Sequence, residues 1–148
     1  MTQMKIQVVL AEDNAIVRTG IRKLLKRAVD IEVIGEASNG MDAVQLVGEV
    51  KPDVLLLDVE MPVLDGIQVA RLLKDSGPGK TRILVLSAYN DREYIQEMLS
   101  NGASGYLLKD EAPERIIEAI QGIAQGETGW VSPQVEVILK KRGRKNYR

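Results

Sequence analysis

The stretch LLLDVEMPVLDG, from Leu55 to Gly66, joins a saturated apolar run to an acidic residue. A continuous apolar run bounded by turn residues is typical of a buried strand in a parallel sheet, because helices cover both of its faces. Asp58 ends this run, and a Met-Pro pair and an Asp-Gly pair follow it as breaking and turn residues. The stretch therefore predicts a carboxylate at the tip of a buried strand, facing a loop.

Short aliphatic runs alternate with helical patterns along most of the chain. The runs are IQVVLAED, IEVIGEA, DVLLLD, RILVLSA and GYLLK. Each is followed by a segment with apolar residues at helical spacing, such as AIVRTGIRKLLKR after the first run. Parallel neighbours need long right-handed crossovers, so five successive strand-then-helix units predict an α/β fold: a doubly wound, five-stranded parallel sheet with helices on both faces.

The C-terminal part of the chain differs from the rest in composition. The stretch GETGWVSP supplies two glycines and a proline, which predicts a boundary that separates a domain at residues 1–126 from a linker and tail at 127–148. Ser132-Pro133 resembles an N-cap and a first-turn proline, and it predicts a short helix through Leu139. The final KKRGRKNYR carries six basic residues and no acid, and it is interpreted as a solvated end or as a segment that contacts DNA without sequence preference.

Composition excludes several kinds of chemistry. The chain of 148 residues has no Cys and no His, which removes disulfides, thiolate metal sites, cysteine nucleophiles and the commonest base. Aromatic residues make up only 3%, so there is little platform for stacking flat cofactors. No apolar run is long enough to suggest a membrane span and no signal-peptide layout is present, which predicts a cytoplasmic protein without membrane partners.

Five polar residues are predicted to meet at one edge of the sheet, because the carboxyl ends of parallel strands lie together. They are Glu12, Asp13, Asp58, Ser87 and Lys109. Each alone is readily explained as a cap, a turn residue or a solvated cation, but their coincidence at one edge is much harder to explain in that way. Crowded carboxylates favour a bound cation, and an all-oxygen set favours Mg²⁺, while the lysine would neutralise a phosphoryl group.

Over residues 5 to 125, the chain resembles the receiver domain of bacterial two-component response regulators. The motifs are AED after the first strand, LLLDVEMPVLDG around the third, LSA at the fourth and GYLLKD at the fifth. The resemblance implies a flavodoxin-like fold with strand order 2-1-3-4-5. It also implies that Asp58 accepts a phosphoryl group from a histidine kinase, and that the chain is a switch rather than an enzyme.

The same resemblance implies a role for each polar residue at the sheet edge. Asp13 would bind Mg²⁺ directly together with Asp58, Glu12 would act through water, and the backbone carbonyl of Glu60 would complete the protein ligands. Lys109 would contact the phosphoryl oxygens. The hydroxyl of Ser87 would hydrogen-bond them after transfer, and Tyr106 would be the aromatic residue that swings inward.

The residues after the fifth strand further resemble the NarL/FixJ-type subgroup, in which a linker helix leads to a LuxR-type helix-turn-helix domain. The chain ends before such a domain, so the sequence leaves open a receiver-plus-linker fragment and a natural single-domain regulator that acts by protein–protein contacts. The resemblance implies DNA control only through an output domain absent here, and we expect homodimerisation on phosphorylation.

Two other classes compete with this interpretation. A metal-dependent aspartyl phosphatase would also end a strand on an aspartate, but it normally has a second aspartate two residues on, where this chain has Glu60. A flavin-binding electron carrier could share the five-strand architecture. It would need a phosphate loop after the first strand, where the anionic EDN would repel a phosphate unless a metal intervenes.

Overall fold

A computed structural model describes residues 4–58, 65–74 and 81–145 of the chain. Strands and helices alternate through most of this length, as the sequence predicts. The strands are β1 Ile6–Ala11, β2 Ile31–Ala37, β3 Val54–Asp58, β4 Arg82–Ser87, β5 Gly105–Leu108 and β6 Trp130–Val131. The helices are α1 Ala15–Leu25, α2 Gly40–Val50, α3 Gly66–Lys74, α4 Arg92–Ser100, α5 Ile116–Ala124 and α6 Pro133–Lys145, with one 3₁₀ turn at Ala112–Glu114.

The strands form one parallel sheet in the order β2-β1-β3-β4-β5-β6. This confirms the doubly wound, flavodoxin-like α/β class and the order 2-1-3-4-5 for the first five strands. The expected count of five strands is wrong, because β6 pairs with β5 and extends the edge. A strand of two residues between Gly129 and the Ser132-Pro133 pair is too short to show any alternation in the sequence.

The core lies on both faces of the sheet, and successive strand residues alternate between the two faces. On one face, Leu55, Leu57 and Val85 pack with α2, α3 and α4. On the other face, Leu56 and Leu84 pack with α5 and the end of α1. Because both faces are covered, β3 is buried along its whole length, and this explains its unbroken apolar run.

The last helix is longer than the sequence predicts. The expected end was Leu139, but α6 continues to Lys145 through most of the basic stretch. Val135 on α6 is completely buried, and Ile138 and Leu139 pack against the same cluster. Val135, Ile138 and Leu139 therefore anchor α6 in the core, and the basic stretch is helical up to Lys145 while its Lys140 side chain stays 76% exposed.

One prediction about the fold falls outside the described residues. The strand-breaking pair Met61-Pro62 lies in 59–64, which the structure does not describe. Within the described ranges, no helix combines the length and the apolar character that crossing a lipid bilayer would need.

Candidate functional site

Three carboxylates converge at the carboxyl end of the sheet. Glu12 and Asp13 directly follow β1, and Asp58 is the last residue of β3. One oxygen from each carboxylate lies within 4.8 Å of the others. Glu12 and Asp58 are only 2% and 3% exposed, whereas Asp13 is exposed. The cluster therefore has a buried floor and an open, acidic rim.

Lys109 supplies a positive charge to this cluster. It follows β5, and its Nζ lies 3.4 Å from Oδ1 of Asp58 and 3.7 Å from Oε1 of Glu12. The ammonium thus contacts both buried carboxylates at once. Because the lysine side chain is 31% exposed, it also reaches solvent at the mouth of the site, where a charged substrate would arrive.

Electrostatics single out Glu12 among the described acids. The pKa of its carboxyl is raised to about 7, chiefly by burial and in part by the neighbouring Asp58. The backbone amide of Asn14, 3.1 Å from Oε2, and the charge of Lys109 act in the opposite direction. Removing a carboxylate from water penalises its charged form, so Glu12 is poised to exchange a proton for a cation near neutral pH.

The loop after β1 is held by three hydrogen bonds that fix the Glu12 backbone and the start of α1. Arg18 donates from Nη1 to the carbonyl of Glu12 at 2.7 Å. The amide of Glu12 donates to the carbonyl of Ala37 at 3.0 Å. Asn14 is the N-cap of α1, and its Oδ1 accepts the amide of Val17 at 3.0 Å. The acidic pair is therefore held at the strand tip by its neighbours on α1 and β2.

Ser87 lies at the same edge of the sheet, at the end of β4. Its hydroxyl is completely buried and accepts the amide of Tyr89 at 2.8 Å, while its carbonyl accepts the amide of Lys109 at 2.9 Å. The Tyr89 carbonyl in turn accepts the hydroxyl of Tyr106 at 3.0 Å. Ser87 is thus hydrogen-bonded both to Lys109, at the end of β5, and to Tyr89, in the loop that follows β4.

The ring of Tyr106 is already inside the protein, with no exposed surface. The described conformation thus has the ring in the inward position, and its movement on phosphorylation stays a prediction. The C-terminal segment lies next to this residue: β6 pairs with the backbone of Tyr106, and Val135 of α6 is buried in the same cluster. No pattern in the sequence indicates this neighbour, because β6 is too short to be recognised.

The structure brings together most of the residues selected from the sequence. Glu12, Asp13, Asp58 and Lys109 form one cluster, and Ser87 adjoins it through the backbone. Glu60, the expected carbonyl ligand, lies outside the described residues.

The donor set fits a hard divalent cation. Its oxygens come from carboxylates alone, they are close together, and two of the three carboxylates are buried. Their mutual repulsion is relieved in part by Lys109 and would be relieved further by a metal ion. Hard cations such as Mg²⁺ prefer this kind of oxygen donor.

Comparison with known proteins agrees with this geometry. The family model described as the response regulator receiver domain matches residues 8–121. The chain is 42% identical over 127 residues to an uncharacterized transcriptional regulatory protein, YxjL of Bacillus subtilis, which covers 86% of this chain and 58% of the relative. It is 36% identical over 145 residues to the transcriptional regulatory protein DegU of Brevibacillus brevis, with 98% and 61% covered. The chain thus spans about three fifths of the length of these curated relatives.

Solved structures show the same likeness. The signal receiver domain of the putative response regulator NarL from Mycobacterium tuberculosis is 35% identical with a TM-score of 0.81, and the match covers 84% of this chain and 100% of that one. A LuxR-family two-component response regulator from Aurantimonas sp. is 27% identical with a TM-score of 0.88, covering 95% and 99%. The chain therefore belongs to the response regulator receiver domain family, with relatives among NarL- and LuxR-type regulators.

Proposed function

We propose that this chain is a phosphorylation switch in which Asp58 accepts a phosphoryl group from a histidine kinase. The observation that supports it most is the placement of Lys109 Nζ 3.4 Å from the Asp58 carboxylate, beside two further acids, in a chain of the receiver family. The nucleophile, the cation-binding oxygens and the fixed positive charge are then provided by three different strand ends. The donor histidine comes from the kinase, which agrees with a chain that contains no His.

The transfer step follows from this arrangement. A carboxylate oxygen of Asp58 attacks the phosphorus of the phosphohistidine, an oxygen–phosphorus bond forms, and the phosphorus–nitrogen bond breaks. The imidazole leaves with the electron pair of that bond, so atoms and charge balance. Phosphoryl transfer asks the protein mainly for alignment and charge neutralisation, and β3 holds Asp58 rigidly because the strand is buried along its length.

Lys109 and the two other acids have separate roles in this proposal. Lys109 compensates the charge of the transferred group, and it already lies between the two buried carboxylates. Asp13 and Asp58 would hold Mg²⁺, and Glu12 would assist through water. When bound, the ion neutralises phosphoryl oxygens and offsets repulsion between the incoming group and the carboxylates. The protein is modified stoichiometrically, so we propose a switch and not an enzyme with turnover.

The proposed site of approach for the kinase lies next to Lys109. A groove of about 590 Å³ runs between α1 and the 3₁₀ turn and reaches this lysine. Its lining is mostly apolar, with Val17, Ile21, Leu24, Leu86, Ala112 and Ile116. A donor domain seated here would bring its phosphohistidine to the mouth of the acidic cluster.

The output we propose is control of transcription, in the cytoplasm, through a DNA-binding domain. The support is that relatives such as DegU are described as transcriptional regulatory proteins. Phosphorylation would change the surface near β4 and β5 and favour a homodimer. The phosphoryl group adds about −1.5 to −2 charge and three acceptor oxygens, which is enough to reorganise nearby hydroxyl and ammonium groups.

The test uses the whole chain with Mg²⁺ and a small phosphodonor such as acetyl phosphate, followed by intact mass. We expect one phosphoryl group on the parent and none on Asp58→Asn, which keeps the shape of the side chain but lacks the nucleophile. Asp53→Asn is the matched control, because Asp53 is exposed and lies immediately before the first residue of the same strand. Equal modification of the parent and Asp58→Asn would show that Asp58 is not the acceptor.

A companion titration tests the division of roles between the two N-terminal acids. Asp13→Ala should weaken Mg²⁺ binding more than Glu12→Ala does, because a direct ligand contributes more than one that acts through water. Equal losses in the two variants would contradict the assignment of Asp13 as the direct ligand.

A further inference from the structure

The C-terminal segment Trp130–Lys145, which comprises β6 and α6, is docked along β5. The amide of Trp130 donates to the carbonyl of Ser104 at 3.1 Å, and the amide of Ser132 donates to the carbonyl of Tyr106 at 3.3 Å. Beyond β6, Val135 is fully buried beside the same strand. The segment thus lies against the strand that ends at the functional lysine.

Two glycines make room for Trp130 and so fix where the segment docks. A Cβ on Gly105 of β5 would lie 2.6 Å from the Trp130 carbonyl oxygen, and a Cβ on Gly122 of α5 would lie 2.5 Å from the indole Nε1. Real Cβ atoms do not approach other atoms this closely. The indole Nε1 also donates to Glu127 at 2.8 Å. The docked position therefore depends on small residues in two other elements.

Ser132 joins this segment to the end of β5. Its side chain is completely buried, and its hydroxyl accepts the amide of Leu108 at 3.3 Å. Its own carbonyl accepts the amide of Glu136 in the first turn of α6 at 3.0 Å. The hydroxyl therefore continues the sheet hydrogen bonding at the point where the backbone turns into a helix.

The end of β5 is consequently held from two sides. On one side, the Ser87 carbonyl accepts the amide of Lys109 at 2.9 Å. On the other side, the Ser132 hydroxyl accepts the amide of Leu108, the residue immediately before Lys109. Because these two bonds fix consecutive peptide groups, they set the direction in which the lysine side chain leaves the strand.

A hydrogen-bonded path also joins the hydroxyl of Ser87 to Ser132. The Ser87 hydroxyl accepts the Tyr89 amide at 2.8 Å, and the Tyr89 carbonyl accepts the Tyr106 hydroxyl at 3.0 Å. The Tyr106 carbonyl then accepts the Ser132 amide at 3.3 Å. A shift of Ser87 towards a phosphoryl group on Asp58 would break or strain the first of these bonds.

We propose that Ser132 is a positioning residue that couples the docking of Trp130–Lys145 to the position of Lys109 beside Asp58. The inference rests on the proposed function and adds to it a residue outside the family-matched range 8–121. The coupling acts in both directions, since linkage between two sites is reciprocal. A docked segment favours phosphorylation of Asp58, and phosphorylation changes the docking of the segment.

The sole tryptophan of the chain provides the probe, because Trp130 lies in the segment itself. The experiment measures two quantities on the full chain with Mg²⁺: the rate of phosphorylation by acetyl phosphate, and Trp130 emission with and without beryllofluoride as a phosphoryl mimic. The variants are Ser132→Ala, Ser132→Thr, which keeps the hydroxyl, and Asp58→Asn. Ser104→Ala is the matched control, because Ser104 is also buried beside β6 but binds Trp130 through its carbonyl.

We expect beryllofluoride to change Trp130 emission in the parent and not in Asp58→Asn. Ser132→Ala should be phosphorylated about tenfold more slowly, because misplacing a catalytic group is costly in rate. Its emission should be shifted to longer wavelength before any mimic is added, and it should no longer respond to the mimic. Ser132→Thr and Ser104→Ala should behave like the parent.

Two results would overturn the inference and leave the proposed function standing. One is a parent that is phosphorylated on Asp58 without any change in Trp130 emission. The other is a Ser132→Ala protein that loses thermal stability but keeps the parental rate and emission response, since that would assign Ser132 a purely structural role. A parent that acetyl phosphate does not modify at all would instead contradict the proposed function, and the inference with it.

Discussion

Nζ of Lys109 lies 3.4 Å from Oδ1 of Asp58 and 3.7 Å from Oε1 of Glu12, so one ammonium serves two buried carboxylates. In the resting protein this contact relieves repulsion within the acidic cluster. Its strongest interaction is expected only after a phosphoryl group arrives, since more negative charge then faces the same cation.

Lys109→Ala should therefore fold, with a loss of about 1–3 kcal/mol in the free energy of unfolding, because the ammonium is partly solvated but the two carboxylates that lose it are buried. It should fail to convert phosphorylation into a conformational change. Urea unfolding measures the first effect, and amide chemical shifts with and without beryllofluoride measure the second. A parental response to the mimic in this variant would remove Lys109 from the switch.

Glu12 should make Mg²⁺ binding depend on pH. Its pKa is raised from the ordinary 4.5 to about 7, chiefly by burial, so near neutral pH a proton on Glu12 removes a negative charge from beside the proposed cation site. Mg²⁺ affinity should rise as the pH increases through about 7. In Glu12→Gln this dependence should largely disappear, whereas an unchanged pH profile in that variant would place the titrating group elsewhere.

The raised pKa of Glu12 also determines whether the protein gains or loses stability with increasing pH when no metal is added. The folded protein binds the proton of Glu12 more tightly than the unfolded chain does. The stabilisation that this proton contributes to the free energy of unfolding is therefore full below pH 4.5 and is lost as the pH rises through about 7. Urea unfolding across this window should show the parent losing stability relative to Glu12→Gln as the pH increases. If the free energies of unfolding of the two proteins changed with pH in the same way, the titration of Glu12 would not be linked to stability.

Self-association should follow phosphorylation and should need the hydroxyl of Ser87. We expect sedimentation of the parent to show a larger mass with beryllofluoride than without it. Ser87→Ala should show little change, because the alanine cannot be drawn towards the new phosphoryl oxygens. An equal mass shift in both proteins would mean that Ser87 does not couple the site to the surface, and no shift in either would exclude self-association as a response of this chain.

Gly122→Ala should destabilise the protein even though alanine is the better helix former. In α5 the new methyl group would meet the indole of Trp130, so we expect a loss of about 1–3 kcal/mol, typical of overpacking. Gly48→Ala on α2 is the matched control. No atom lies within 4 Å of its added Cβ, so it should gain up to about 1 kcal/mol from helix propensity. Thermal unfolding should show a lower melting temperature than the parent for Gly122→Ala and an equal or higher one for Gly48→Ala.

The sequence predicted the parts of the molecule that depend on long apolar runs. β3 is recognisable because burial on both faces removes every polar side chain until Asp58, and the same logic places Glu12 and Lys109 at the shared edge. Parallel strands must end on one side, so convergence could be inferred without coordinates.

The parts that escaped prediction depend on contacts with little signal along the chain. β6 has two residues, and the space for its Trp130 is left by Gly105 and Gly122, which lie in two other elements. The buried ring of Tyr106 and the hydroxyl contact of Ser132 both follow from that pairing. The sequence predicts a helix that ends at Leu139, but the packing of Val135 and its neighbours anchors a helix that continues to Lys145.

Asp58 itself should carry the phosphoryl group, and locating that group within the chain tests this assignment without a variant. The parent is treated with acetyl phosphate and Mg²⁺, the acyl phosphate is trapped by borohydride reduction, which converts the modified aspartate to homoserine, and the peptides are sequenced by mass. We expect homoserine at position 58 and unmodified aspartate at position 13. Modification at any other residue, with Asp58 intact, would contradict it.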